Sequence, residues 1–469
     1  MKQILLHVKP EEKILAILEE GLLSDISVEK TEETNLVGRI YKGVIRNVVP
    51  SINGLFIDIG IGKNGFLRTK DILSKEAHTE GASVLVQVEK DSTETKGPLL
   101  TEKISFAGKY AVALMNTDYI GISKKIRSEE KRATLRRTAR SICPSGMGAV
   151  VRTAAETAEA EAFEKDILAL AHIGEIVAKR YKVEKAPALL YRDGDLAVKA
   201  LRDYMTDDVE MLWVDDKETY ERLRQIAESE GLCPLEKIGL YDNRIPLFHA
   251  FHVEEQIQSL FEREVPLPSG GSLVIDYTEA LTAIDVNSGA FKGNMPHTEL
   301  AYLTNEEAAR EIARQIRLRG IGGIIMIDFL DMDKKSQQEK LVHFLKNEVR
   351  KDRVKTVVCG MTSLGLVEMT RKRTVHRLWQ QYYDTCPICH GTGRILSQEA
   401  MAGKIVEDLR NRAGQGFFKT DLLIQCQADV AKLLNQDEWK TRLEDLVHHD
   451  VTVEDSGNEN REVYAILSK

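Results

Sequence analysis

The sequence predicts a multidomain chain of mixed α/β and β units, with a small closed barrel in its first quarter and a layered α/β domain in its second half. Three observations carry that prediction. The chain has 469 residues, which at ~150 residues per domain makes about three folding units. Between residues 36 and 105, short β-branched runs are punctuated by Gly38, Gly43, Gly54, Gly60, Gly62 and Gly65, the rhythm of a small barrel with tight corners. Between residues 266 and 360, strands and a helix alternate as SLVIDY, ALTAIDV, TNEEAAREIARQIRL, IGGIIMIDFL and VKTVVCGM, the order of a layered α/β domain.

The remaining elements follow in chain order. Residues 1–35 alternate apolar and polar positions, as a small antiparallel sheet does. From 124 to 140 the string KKIRSEEKRATLRRTAR sets eight basic residues against two acidic ones. Helical spacing runs through 154–181, and a sheet-forming section lies between 197 and 215. In the layered domain a capping-box spelling, Thr304 with Glu307, starts the helix before the second strand. Its apolar face is Ala308, Ala309, Ile312, Ala313 and Ile316, which leaves Arg310, Arg314, Arg317 and Arg319 for a solvated face. A cysteine pair comes after residue 384, then a polar α/β tail.

Composition excludes several classes. Hydrophobic residues are 43% and charged residues 29%, a globular balance rather than a disordered or fibrous one. No apolar stretch approaches the ~18 residues that cross a bilayer, and the start MKQILLHVKPEEK does not spell a signal peptide. Six cysteines in so long a chain exclude a disulfide scaffold and suit a reducing cytoplasm. The formal charge of −8 means that any grip on a polyanion must come from locally gathered positive charge, and the 124–140 string gathers it.

Two aspartates carry the most specific chemistry. Asp285 follows the strand ALTAI and Asp328 the strand GIIMI, each near a carboxyl end. One carboxylate in so apolar a run is expensive to bury, by several kcal/mol, and two on neighbouring strands offset that if a divalent cation sits between them. Oxygen ligands with only two protein carboxylates suit Mg²⁺, which keeps waters and takes a phosphate oxygen. Asn287 lies two residues beyond Asp285, on the same side of a strand, where it can orient a water. For a single aspartate a turn or capping role is the simpler account; the repetition of the pattern favours the metal.

CPICHGTGR supplies Cys386 and Cys389 at CxxC spacing, with Gly391 and Gly393 behind them. The glycines let backbone amides turn toward the sulfurs, as in zinc knuckles. Structural zinc takes four ligands, and the sequence has no second CxxC. Two chains that each give two thiolates complete the set, so the spacing predicts a zinc-stapled homodimer. The same string spells CxxCH, a haem-attachment motif, but that chemistry requires export. A redox dithiol is disfavoured because no thioredoxin-like strand and helix flank the pair.

Candidate nucleic-acid contacts are Phe56 and Phe66, in short runs of the barrel, with Lys96 beside Gly97. Aromatic residues of small barrels more often fill the core, and an exposed lysine needs no ligand, so these three decide nothing alone. In VVRTAAETAE, Thr153 and Glu156 spell another capping box, and Arg152 offers a fork for a phosphate at the helix start.

Taken together, these strings resemble the ribonuclease E/G family of bacterial endoribonucleases. GRIYKGVIRNVVPSINGLFIDIG, VRTA, REVPLPSGGSLVIDYTEALTAIDVNSG, ARQIRLRGIGGIIMIDFLDM, GLVEMTRKR and CPICHGTG occur in family order over essentially the whole chain. The N-terminus, the TRKR and CPxCHG details and the end soon after the cysteines lean toward the ribonuclease G branch. The resemblance implies an RNase H-like subdomain from residues 1–35 and 198–265, an S1 (OB-type) domain at 36–105 and a 5′-sensor at 106–197. It further implies a DNase I-like catalytic domain at 266–384, a zinc link at 385–394 and a small α/β domain at 395–469. By motif, Asp285 and Asp328 match Mg²⁺ ligands and Asn287 a water-positioning residue. Gly108, Val112, Arg152 and Thr153 match a pocket for a 5′-monophosphate, and Phe56, Phe66 and Lys96 match RNA contacts. Ser363-Leu364-Gly365 stands where the ribonuclease E branch reads Arg-Phe-Gly, so that contact is not carried over. The implied function is Mg²⁺-dependent, 5′-monophosphate-stimulated cleavage of single-stranded RNA to 5′-phosphate and 3′-hydroxyl ends, in ribosomal RNA maturation and messenger decay. The rivals are a non-catalytic RNA-binding factor and a phosphomonoesterase of similar layers.

Overall fold

A computed structural model describes residues 1–30, 36–73, 78–92, 96–289, 297–332, 334–373, 378–414 and 420–469. The chain divides into two compact units, Met1–Trp379 and Gln380–Lys469.

In the first unit, the alternating N-terminal segment forms strands Lys2–Val8, Glu12–Glu19 and Leu22–Lys30, an antiparallel meander. Strands Val209–Val214 and Ile238–Leu240 extend this sheet in parallel on the Lys2–Val8 edge. Alternation splits the side chains between two cores. Ile4, Leu6, Leu15 and Ile17 pack with Leu212, Val214 and Leu223, while Leu5, Ala16 and Leu18 pack with Leu247 and Phe248. The section expected as sheet from 197 to 215 is strand only over Val209–Val214. Before it, Leu196–Lys199 and Ala200–Tyr204 are helical turns. Asp195 caps them by accepting from the Val198 amide at 3.2 Å, and Leu196, Ala197, Ala200 and Leu201 turn inward at helical spacing.

Strands Ile40–Val49, Gly54–Asp58, Gly65–Arg68, Leu99–Thr101 and Ser83–Lys90 pair in that order, and the last closes on the first. The result is a five-stranded barrel filled by Ile45, Leu55, Ile57, Leu67, Val86, Val88 and Leu100. Gly43 shows why the glycine rhythm is needed: a Cβ there would meet Ile57 Cγ2 at 2.4 Å.

A four-stranded sheet follows, in the order Ile120–Ile122, Met147–Val151, Ala111–Met115, Ser105–Ala107. Helices Glu129–Ile142 and Ala160–Val183 pack on it around Phe106, Phe163 and Ile167. The capping box at Thr153 does not start the long helix. Thr153–Glu156 is a single 3₁₀ turn, and the helix begins at Ala160.

The layered domain is a six-stranded sheet in the order Glu264–Pro266, Ser272–Tyr277, Leu281–Asn287, Gly323–Asp328, Val367–Arg371, Thr356–Met361. Leu281–Asn287 and Gly323–Asp328 run parallel, as a helical crossover requires. That crossover is His297–Leu318. It begins upstream of Thr304, which is an interior residue only 2% exposed; Glu307 instead accepts from the Ser269 amide at 3.0 Å. Ala308, Ala309, Ile312, Ala313 and Ile316 are buried against the sheet. Of the four arginines assigned to a solvated face, Arg310 is exposed, but Arg319 is 3% exposed. Its guanidinium donates to Gln315 Oε1 at 2.6 Å and to the Glu262 carbonyl at 2.7 Å.

The second unit has a three-stranded sheet, Val451–Asp455, Leu422–Cys426 and Ala465–Ser468. Helices Gln398–Gly414, Ala428–Leu434 and Asp437–Val447 enclose its core, which includes Met401, Leu409, Ile424 and Leu443. Among the described residues no helix is long and apolar enough to cross a membrane.

Candidate active site

Strand alternation brings the carboxylates together. In Leu281–Asn287, Thr282, Ile284 and Val286 are buried, so Asp285 and Asn287 face the other way and are exposed. In Gly323–Asp328, Ile325 and Ile327 are buried and Asp328 is exposed. Asp285 and Asp328 sit directly opposite one another in the parallel register, which places their backbones about 4.8 Å apart. Asn287 Nδ2 donates to Asp285 Oδ2 at 3.1 Å. The residues expected as one site are therefore adjacent, on the sheet face away from the helices.

One part of the sequence argument changes. Both carboxylates face solvent, so burial does not call for a cation here. What remains is their mutual repulsion, about 1 kcal/mol at ~5 Å in water-like surroundings and more once a ligand displaces water. Among the described residues neither carboxylate has an ion-pair partner, and no group of three or more His, Cys, Asp or Glu side chains is poised for a metal. Two carboxylates with a neutral amide beside them fit an ion that takes its other ligands from water and phosphate. Mg²⁺ has that habit.

The four residues matched to a 5′-phosphate pocket also converge. Ala111–Met115 pairs with Met147–Val151, so Val112 lies opposite Val150. The Arg152 guanidinium donates to the Gly108 carbonyl at 2.5 Å and to Asp203 Oδ1 at 2.8 Å. Thr153 Oγ1 and Ser123 Oγ are 3.0 Å apart. Asp203 and Ser123 escaped the sequence reading because neither has a local signal; only the tertiary fold delivers them. The loop at Gly108 encloses an anion of its own. Asp166 accepts from the amides of Lys109, Tyr110 and Ala111 at 2.9–3.0 Å, and a Cβ on Gly108 would meet Asp166 Oδ1 at 2.5 Å. Burial pushes the Asp166 carboxyl up from its usual range despite these three bonds. Asp203 moves the other way: burial opposes its charge, but Arg202 and Arg152 overbalance it and hold the carboxyl down.

On the barrel, Phe56 and Phe66 sit opposite one another on adjacent strands. Both are half-buried on the outer face, with ring centroids 5.5 Å apart and planes at 51°. Phe66 lies over Gly54, where a Cβ would meet its ring at 2.3 Å. Lys96 is exposed, and the Pro98 carbonyl two residues on accepts from the Phe66 amide at 2.8 Å. The two rings thus share one outer face, and the chain at Lys96 runs near the Phe66 strand. The basic string forms helix Glu129–Ile142, which packs beside the Thr153 turn and exposes Arg136, Arg137 and Arg140.

In the second unit, Cys386 and Cys389 bracket a tight turn in which the His390 amide donates to the Cys386 carbonyl at 2.9 Å. Gly391 and Gly393 both adopt positive φ, open to glycine at no steric cost. Amides of Gly393 and Gly391, with the Cys386 thiol, donate to Cys389 and lower its pKa. A tetrahedral structural zinc site takes four such ligands, and this turn offers two.

The description "Ribonuclease E/G family" matches residues 105–374. Ribonuclease G of Escherichia coli strain K12 is 35% identical over 93% of this chain and 93% of its own length. Ribonuclease G of Haemophilus influenzae is 34% identical over 87% of each chain. Ribonuclease E of E. coli K12 is 36% identical over 88% of this chain, which covers 41% of that larger protein. With a matched segment spanning the four-stranded sheet and the paired aspartates, and with relatives aligned almost end to end, the chain belongs to the ribonuclease E/G family.

Proposed function

We propose that this chain is an endoribonuclease that cuts single-stranded RNA with the help of Mg²⁺, held by Asp285 and Asp328. The observation that carries this reading is the register that sets the two carboxylates side by side with Asn287 bonded to one of them. When bound, Mg²⁺ would lower the pKa of a coordinated water and offset negative charge on the phosphodiester. Asp285 and Asp328 fix where that charge is offset. Asn287 spends its amide N–H on Asp285, which turns its carbonyl oxygen to the attacking water as an acceptor. In-line attack by water leaves a 5′-phosphate and a 3′-hydroxyl. The motifs supply no histidine pair to activate a 2′-hydroxyl instead.

The other contacts are assigned to the same substrate. Phe56 and Phe66 offer ring surface to bases, and Lys96 offers charge to the backbone. A 5′-monophosphate docks on Arg152 and Thr153, within Gly108 and Val112, and displaces Asp203 from the guanidinium as it does so. Cys386 and Cys389 share Zn²⁺ with the same pair of a second chain in a homodimer. The setting is the cytoplasm, with ribosomal RNA precursors and messengers as substrates.

The test is end-group analysis of a 5′-monophosphorylated oligonucleotide, with and without chelator. Internal cuts bearing 5′-phosphates that vanish on chelation are expected. Release of inorganic phosphate without shorter oligonucleotides, or cleavage unaffected by chelator, overturns the reading.

A further inference from the structure

A cavity of about 400 Å³ opens in the first unit, where strands Glu12–Glu19 and Leu22–Lys30 meet helix Lys217–Glu230 and the segment 192–195. That volume is within the ~300–1,000 Å³ range of sites that seat a small molecule. Its walls carry four cations, Lys13, Lys30, Arg192 and Arg222, and three carboxylates, Glu29, Asp193 and Asp195. Among the described residues of the lining, Val198 alone has an apolar side chain. No residue of the lining belongs to the carboxylate pair, the 5′-phosphate pocket or the outer face of the barrel.

Each carboxylate is already engaged. Glu29 Oε2 accepts from the Leu196 amide at 2.9 Å. Asp193 is paired from outside the cavity, where Arg202 donates to its two oxygens at 2.7 and 3.2 Å. Asp195 Oδ2 accepts from Lys13 and, at 2.7 Å, from Arg222. With Asp193 balanced by Arg202, the lining keeps four positive charges against two negative ones, an excess of two.

The cations also have donors left over. One oxygen of Asp195 holds Lys13 and Arg222 side by side, yet each gives it a single bond. An ammonium has three N–H groups and a guanidinium five, so most of theirs remain for a ligand. Arg192 is exposed, and among the described residues it has no ion-pair partner.

This composition matches a molecule that bears a phosphate and several hydroxyls. A guanidinium meets phosphate as a bidentate fork, and an ammonium adds a point charge. Glu29 and Asp193 retain lone pairs that can accept from O–H donors. A nucleobase, by contrast, finds no aromatic or broad apolar surface here on which to stack. We infer that the cavity binds a small phosphorylated sugar, with its phosphate on Arg192, Lys13 and Arg222 and its hydroxyls on Glu29 and Asp193. The site stands apart from the nuclease reading, since it uses none of the residues assigned to RNA.

The test is isothermal titration calorimetry on the full chain without divalent ion, with glucose 6-phosphate, ribose 5-phosphate, glucose and inorganic phosphate as probes. At least one of the sugar phosphates should bind with a Kd of about 0.1 mM. Glucose and inorganic phosphate should each bind about tenfold more weakly, because each lacks half of the contacts. Arg192→Ala should weaken the sugar phosphate about tenfold. This side chain is exposed and unpaired, so the variant should melt with the wild type. Lys217→Ala, which removes the same charge from the helix of Arg222 but outside the cavity, should bind as wild type does. Protein saturated with a 5′-hydroxyl RNA oligonucleotide should still take up the sugar phosphate unchanged. Neither sugar phosphate binding at about 10 mM, inorganic phosphate binding equally well, or an unaltered Kd in Arg192→Ala overturns the site. Displacement by RNA assigns the cavity to the polynucleotide and overturns the small-ligand reading.

Discussion

At the residue scale, the proposed chemistry rests on two carboxylates set opposite one another and on the Asn287 amide bonded to one of them. Asp285→Asn and Asp328→Asn keep the shape of the site and remove one negative ligand each, so kcat should fall about a thousandfold, roughly 4 kcal/mol of barrier. RNA affinity without divalent ion should hold or rise, since each change removes a charge that repels phosphate. Cleavage at wild-type rates by both variants in excess Mg²⁺ would place the chemistry elsewhere. Arg152 supports a second residue-level prediction, because its guanidinium already holds Asp203 at 2.8 Å. A 5′-phosphate must compete with that carboxylate, which its arginine neighbours keep ionised at neutral pH. Asp203→Asn removes the competitor and should raise the preference for 5′-monophosphorylated over 5′-hydroxyl RNA severalfold. Arg152→Ala should bring the two substrates level. The wild-type preference should grow from pH 5 to pH 7, as the substrate's phosphate takes its second charge near pH 6; a preference flat in pH and unchanged in both variants rejects the pocket.

At the scale of elements, two junctions can be probed without touching the chemistry. Gly54 lies beneath Phe66, so Gly54→Val drives side-chain carbon into the ring and disturbs the Phe56–Phe66 pair. Overpacking of this kind costs about 1–3 kcal/mol, and calorimetry should show the loss together with weaker RNA binding. Weaker binding with an intact fold places the pair in the RNA path; lost stability with unchanged binding makes it barrel packing only. Asp195 ties three elements, capping the Leu196 turn while pairing with Lys13 of the N-terminal sheet and with Arg222 of helix Lys217–Glu230. Burial works against its charge, but the bonds from Arg222 and Lys13 bring its pKa down to about 2. A carboxyl depressed from 3.8 stabilises the fold above its unfolded pKa, and that stability fades as pH falls from about 4 toward 2. The amount is of order 2 kcal/mol, so Asp195→Asn should flatten the acid side of the stability profile over that window. These elements also show what the sequence made legible. Period-two alternation and apolar runs disclosed the N-terminal meander, the barrel and the aspartate strands, because each pattern reports which face is buried. Capping boxes misled at Thr153 and Thr304, since a four-residue spelling is local while helix starts are settled by packing upstream. Arg319 was misread for the same reason: its partners, the Ser259–Glu262 carbonyls and Gln315, are mostly remote in sequence.

At the scale of the whole molecule, charge and the proposed assembly can each be tested. A chain with net charge −8 repels a polyanion except where basic groups gather, and helix Glu129–Ile142 is one such place. RNA binding should therefore weaken steeply with salt although the protein is acidic overall. The proposed assembly turns on the cysteine turn, which offers two sulfurs where structural zinc needs four. If two chains share the ion, purified protein carries one zinc for every two chains. A strong chelator should then convert dimers to monomers in sedimentation, and Cys386→Ser should do so without chelator. Acid has a definite sign here as well: the amides of Gly393 and Gly391 favour the Cys389 thiolate, so metal and dimer should persist through neutral pH and be lost together as falling pH protonates the sulfurs. One zinc per chain would mean that each chain completes the set itself. A dimer that survives chelation intact would mean that contacts between folded surfaces hold the pair, and the cysteine turn would lose its role in assembly.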